Sequence, residues 1–117
     1  MRRAYGPKHP DVVYATGWVG RNQFYLGRFA ESERNIRWAL SATATAKDTL
    51  RFGRILATML VDQRRWKEAE PLALRVLAFQ DSAKDSLARV TAGLLVRVYD
   101  ATGRKEQAAQ YRALERR

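Results

Sequence analysis

The sequence predicts an all-α fold of six helices, arranged as three consecutive helical hairpins. Three observations carry that prediction. A short phrase recurs as Gly27-Arg28-Phe29-Ala30-Glu31-Ser32-Glu33, Arg64-Arg65-Trp66-Lys67-Glu68-Ala69-Glu70 and Gly103-Arg104-Lys105-Glu106-Gln107-Ala108-Ala109, at offsets of 37 and 39 residues. A period of this size marks an array of stacked supersecondary units rather than a fold built around a catalytic pocket. Two hydroxyl-x-x-acid phrases, Thr45 to Asp48 and Ser82 to Asp85, are also 37 residues apart and have the form of a helix-opening capping box. Finally, apolar residues recur at helical spacing and no stretch sustains strand alternation.

The first helix opens at Pro10, which suits the first helical position, with Asp11 beside it at the positive end of the helix dipole. The other two first helices start from the capping boxes and bury Ile55, Leu56, Met59 and Leu60, then Leu94, Leu95, Val98 and Tyr99. Gly27 and Gly103 end the first and third of these helices in the left-handed conformation that satisfies free carbonyls. A second helix follows each turn, over about 30–42, 67–80 and 104–116. Their buried faces are expected to use Ile36, Trp38, Ala39 and Leu40; Leu72, Val76, Leu77 and Phe79; and Ala108, Tyr111 and Leu114. Pro71 is expected at or near the first turn of its helix, where a missing N–H costs little.

These residues resemble the tetratricopeptide repeat, in which a large and a small residue precede an aromatic on the first helix, then a turn Gly and aromatic, then small residues on the second helix. Val19-Gly20, Gly27, Phe29, Ser32 and Ala39-Leu40 fit the first copy; Leu56-Ala57, Trp66, Ala69 and Leu77 the second; Leu95, Tyr99, Gly103 and Ala108 the third. The stretch from Gly6 to Val12 and the Glu68-to-Leu72 phrase resemble the kinesin-light-chain-like branch. The resemblance implies a right-handed α-solenoid in one domain, with repeats at about 10–43, 46–80 and 83–116 and residues 1–9 as the remnant of a preceding helix and linker. It also implies a concave face lined by the first helices, and a context such as the tail of a larger bacterial-type signalling protein.

There are departures from the pattern. Arg64 occupies the turn-Gly position of the second copy, which calls for another geometry or strain of about 1 kcal/mol. Gln23 stands where the first copy has its aromatic. Lys105 replaces the third turn aromatic, and Glu115-Arg116 its closing small pair, so the last copy is a worn, polar cap. On the N-terminal side a missing neighbour is expected to leave Val12, Val13 or Phe24 uncovered, a surface for self-association.

Composition bounds the chemistry. The chain has 117 residues, 46% hydrophobic, and no cysteine, which removes disulfides and thiolate metal sites. No apolar run reaches the roughly 20 residues of a membrane span. The basic N-terminus lacks an apolar segment like that of a secretory signal, so a cytoplasmic location is expected. The net charge is +10, and each third of the chain shares the excess. His9 is the single histidine and reads as a helix-start residue. The Glu31/Glu33 and Glu68/Glu70 pairs lie near helix starts, where acids favour the dipole. Neither a phosphate loop nor a nucleophile motif is present, so no enzyme, cofactor or metal is expected.

The outward side of the first helices supplies the candidate site. It comprises Tyr14, Trp18, Arg21 and Tyr25, then Arg51, Arg54, Thr58 and Asp62, then Arg97. The arginines would form a basic strip flanked by aromatics. Arginine forks carboxylates and aromatics add apolar area at low entropy cost, so the strip suits an acidic peptide. The competing arrangement pairs these arginines with neighbouring acids such as Asp62 and Asp100. Trp38 and Trp66 are assigned to packing. Three functions follow: a protein or peptide scaffold, a nucleic-acid-associated basic protein, or a self-assembling element.

Overall fold

The computed structural model describes residues 9–43, 45–83 and 87–116, and among these every regular element is an α-helix. The six helices are α1 (Pro10–Tyr25), α2 (Phe29–Ala42), α3 (Ala46–Asp62), α4 (Trp66–Ala83), α5 (Ala88–Ala101) and α6 (Lys105–Glu115). Two compact units divide the chain within α3, the first ending at Leu56 and the second beginning at Ala57.

In the first unit α1 packs on α2. His9 caps α1 by accepting the Asp11 N–H on Nδ1 at 3.1 Å, and Pro10 takes the first helical position. Two glycines permit the close packing of this unit. A Cβ at Gly20 would lie 2.8 Å from Ile36 Cγ1, and one at Gly17 would fall 2.2 Å from the Phe52 ring. Gly in a helix costs about 1 kcal/mol relative to Ala; here the absent side chain is filled by Ile36 and Phe52, both fully buried. Ser32, also fully buried, donates its hydroxyl to the Gly20 carbonyl at 2.6 Å, so its one polar group is satisfied across the helix pair. Gln23, in place of an aromatic, accepts from Asn35 at 2.8 Å and donates to Glu31 at 3.2 Å. At the start of α3, Thr45 Oγ1 accepts the Asp48 N–H at 3.1 Å, giving half of the expected box. The Thr45 N–H is taken by the Thr43 hydroxyl at 3.3 Å rather than by Asp48.

In the second unit α4 packs on α5 and α5 on α6. Ala69 and Ala108 are fully buried, and with Ser32 they occupy the small-residue position of the recurring phrase. Tyr99, near the end of α5, is also buried. It donates its hydroxyl to Glu70 Oε2 at 3.0 Å, and Arg104 donates to the same oxygen at 3.0 Å and to Oε1 through its second nitrogen. The Arg104 guanidinium also covers the Tyr99 ring at 4.6 Å. Hydrogen bonding from Arg104 holds the Glu70 carboxyl below the usual carboxylate range. Burial, aided by Glu70, pushes the Tyr99 phenol up to about 12.

The three turns share one backbone solution. Gly27, Arg64 and Gly103 have φ of 80°, 60° and 76°. After each, the next N–H reaches back to the third-last helical carbonyl at 2.8 Å: Arg28 to Gln23, Arg65 to Leu60, Arg104 to Tyr99. The left-handed residue itself bonds the following carbonyl, completing a Schellman motif each time. Arg64 thus keeps the glycine geometry and bears its strain.

Several expectations are corrected. Pro71 lies in the interior of α4, five residues after Trp66. It is exposed, as is Lys67, so the carbonyl left without its N–H partner is on the solvent side. Ser82 does not open a helix: α4 continues through it to Ala83, because no Gly or Pro intervenes after Pro71 and Val76, Leu77 and Gln80 remain buried. The next helix begins at Ala88, with Leu87 at the N-cap making no side-chain cap hydrogen bond; Lys84 and Asp85 lie outside the described residues. So does the expected helix remnant at Met1–Tyr5. Val13 is only 2% exposed rather than uncovered. Trp66 is half-buried, lining a shallow cavity of about 360 Å³ with Arg64, Arg65, Lys67, Glu68 and Thr102.

Two predictions follow from these contacts. Arg64→Gly removes positive-φ strain and is expected to stabilise the protein by about 0.5–1 kcal/mol after the greater freedom of Gly in the unfolded chain is deducted. Urea unfolding checks this, and a lowered midpoint would contradict it. Tyr99 has a raised folded pKa, so its contribution is complete below pH about 10 and is lost as pH rises through about 12. Glu70 has a lowered one, so its contribution is present above the ordinary carboxylate range and disappears as pH falls through its folded value. In phenolate absorbance titrations, the component removed by Tyr99→Phe should ionise at about pH 12. Glu70→Gln should bring it down and cost about 1–2 kcal/mol.

Candidate functional site

The first unit brings five of the nine candidate residues together. Tyr14, Trp18 and Arg21, with Tyr25, recur at three- and four-residue spacing along α1 and so share one stripe. Tyr14 meets Trp18 edge to face with centroids 5.8 Å apart. The Arg21 guanidinium lies 4.7 Å from the Trp18 ring and 4.8 Å from the Tyr25 ring. Arg51, from the first turns of α3, lies 5.5 Å from both Tyr14 and Trp18. One tryptophan therefore carries two guanidinium contacts.

This arrangement has a structural foundation. Phe52 occupies the space left by Gly17 and presents an edge to Trp18, with centroids 6.4 Å apart and planes at 88°. The ring is held from beneath by a fully buried side chain. Each cation–π contact contributes about 0.5–1 kcal/mol at an exposed position, and the stacking leaves the guanidinium edge available for hydrogen bonding. Arg21 makes no ion pair with any described residue. Arg51 has only a 3.4 Å contact with Asp48. Chemically, the cluster offers two forked cations set against aromatic faces, a surface suited to carboxylates.

The remaining candidates are placed differently. Arg54 is half-buried one turn beyond Arg51 and already has an interaction partner. Thr58 and Arg97 belong to the second unit. Thr58 is half-buried and likewise engaged. Arg97 donates to Asp62 at 3.0 Å, and Asp100 accepts from Arg112 at 2.8 Å, so both acids have arginine partners. The glutamate pairs are structural: Glu31 bonds Gln23, Glu33 bonds Arg37 at 2.9 Å, Glu68 accepts from Arg65 at 2.7 and 3.0 Å, and Glu70 holds Tyr99 and Arg104.

Sequence reasoning missed Phe52 and Arg28. The Gly17–Phe52 fit has no local signal, because its members lie 35 residues apart. Arg28 could have been found as a cation beside a turn glycine. Among the described residues no group of three or more His, Asp or Glu side chains could hold a metal, and no helix is long and apolar enough to cross a membrane.

Comparison with protein-family models, with curated proteins and with solved structures finds no match.

Proposed function

We propose that this chain is a non-enzymatic interaction module whose first unit binds an acidic peptide segment of a partner protein. The observation that carries the reading is the pair of arginines on Trp18, one of them, Arg21, without a carboxylate among the described residues. A free, stacked guanidinium receives a carboxylate bidentately and has lost little freedom by doing so. A tetratricopeptide array of solenoid form belongs to the same proposal. Its support is the recurring Schellman turn and the buried small residues Ser32, Ala69 and Ala108. A cytoplasmic location, consistent with the absence of cysteine, is part of it as well.

A second reading rests on the net charge of +10 beside exposed Tyr14 and Tyr25, which would suit single-stranded nucleic acid. Salt separates the two. Phosphate-dominated binding falls steeply and uniformly across sequences, whereas a peptide site discriminates among peptides at one salt concentration.

In calorimetric titrations at physiological salt, a Glu/Asp-rich peptide should bind and a neutral Gln/Asn counterpart should not. The double variant Arg21→Glu with Arg51→Glu should weaken binding at least tenfold, about 1.4 kcal/mol or more, with helicity unchanged. Unaltered affinity would show that this surface is not the site.

A further inference from the structure

We infer that the α1–α2 turn is a second anchor of the same surface, receiving a large apolar side chain that neighbours the carboxylate in the partner's acidic segment. The inference rests on the acidic-peptide reading above and adds an apolar requirement to it.

The turn carries the two most exposed large apolar side chains of the first unit, with a third beside them. Leu26 is 72% exposed, Tyr25 64% and Phe29 46%. They are not scattered. Phe24 joins the two aromatics, its ring 5.2 Å from Tyr25 and 6.0 Å from Phe29, both edge to face, and Leu26 follows Tyr25 at the C-cap of α1. Tyr25 in turn lies against Arg21. The aromatic path from Tyr14 and Trp18 through Arg21 therefore continues, contact by contact, into the turn. The backbone beneath is fixed, because Gly27 is left-handed and the Leu26, Gly27 and Arg28 N–H groups bond Asn22, Phe24 and Gln23 carbonyls at 3.0, 3.1 and 2.8 Å. Such a surface is ordered before a ligand arrives, which lowers the cost of binding.

Charge selects the occupant. Arg21 lies against Tyr25 and Arg28 directly follows the turn glycine, and neither makes an ion pair with a described residue, so the turn carries two cations without paired acids. A second copy would bring two turns of like charge together, in a contact between chains of net charge +10. A membrane-surface helix buries a long apolar face, whereas only three large apolar side chains are exposed at this turn. An acidic segment with an embedded apolar residue complements both features. Arg21 and Tyr25 are four residues apart on α1, a rise of about 6 Å, which an extended peptide covers in about two residues. The preferred segment thus carries Asp or Glu and a Leu- or Phe-sized side chain two residues apart on one face.

The test compares two peptides of equal charge, one Glu-rich with a single Leu two residues from a Glu, the other with Ala in its place. They are titrated by fluorescence anisotropy into the full chain, into Leu26→Ser, and into Leu26→Ser with Phe29→Ser. Circular dichroism verifies the fold; the single variant, at the more exposed position, serves if the double one unfolds. The Leu peptide should bind the unmodified chain about tenfold more tightly, and the turn variants should remove that advantage while leaving the Ala peptide unaffected. Equal affinity of both peptides, with dependence on Arg21 retained, overturns the apolar anchor and leaves the acidic-peptide reading standing. Binding of neither peptide overturns both. Phosphatidylserine vesicles that pellet the chain in a Leu26-dependent manner, without peptide binding, would make the turn a lipid contact. A concentration-dependent dimer lost in the turn variants would make it a self-contact. Either result overturns the inference.

Discussion

One backbone conformation, a left-handed residue directly after a first helix, sets the local geometry at three places in this chain. It directs the next N–H back to the third-last carbonyl of the helix, and so fixes both where the helix stops and how its successor leaves. At Gly27 and Gly103 the conformation is free of steric penalty; at Arg64 it is imposed on a residue with a Cβ. The chain tolerates that penalty because both turn bonds around Arg64 are formed, at 3.0 and 2.8 Å. A cost of about 1–2 kcal/mol is small against the burial of Leu60 and Ala69 on either side, since each apolar side chain removed from water contributes a comparable amount or more.

In the first unit this constraint reaches the surface through packing. Once the turn returns α2 along α1, Gly20 and Ser32 set their closeness, with no side chain at one and a short buried hydroxyl at the other. Gly17 admits Phe52, which supports Trp18, and Trp18 with Tyr25 holds Arg21. Each step is a weak interaction of at most about 1–2 kcal/mol. Their joint effect is to give a long, flexible arginine a defined place. The second unit treats arginine differently: Arg104 is committed to Glu70 and Tyr99, Arg97 to Asp62 and Arg112 to Asp100. These three arginines are structural, whereas Arg21 in the first unit is left available.

Much of this was legible in the sequence wherever the cause is local. Gly27, Gly103, His9 and Thr45 behave as their residue types dictate within a few positions, and Ser32, Ala69 and Ala108 follow from the period alone. What was not legible depends on partners distant in the chain. Ser82 is a good helix cap, yet buried Leu77 and Gln80 carry α4 past it. Val13 reads as an edge residue and is buried, while Trp66 reads as core and lines an open cavity. For the site, the α1 stripe was evident from spacing, because residues three and four apart share a face. That Arg51 joins it while Arg97 pairs with Asp62 was not, since the difference lies in which carboxylates tertiary structure brings within reach.

Trp18, in contact with two guanidinium groups, is the residue on which the proposed binding surface depends. A chain carrying Trp38→Phe and Trp66→Phe retains Trp18 as its sole tryptophan, so its emission reports on that ring alone. Titration with an acidic peptide should shift that emission saturably, at the concentration where binding is measured independently. An unchanged Trp18 spectrum at full peptide occupancy would contradict the claim.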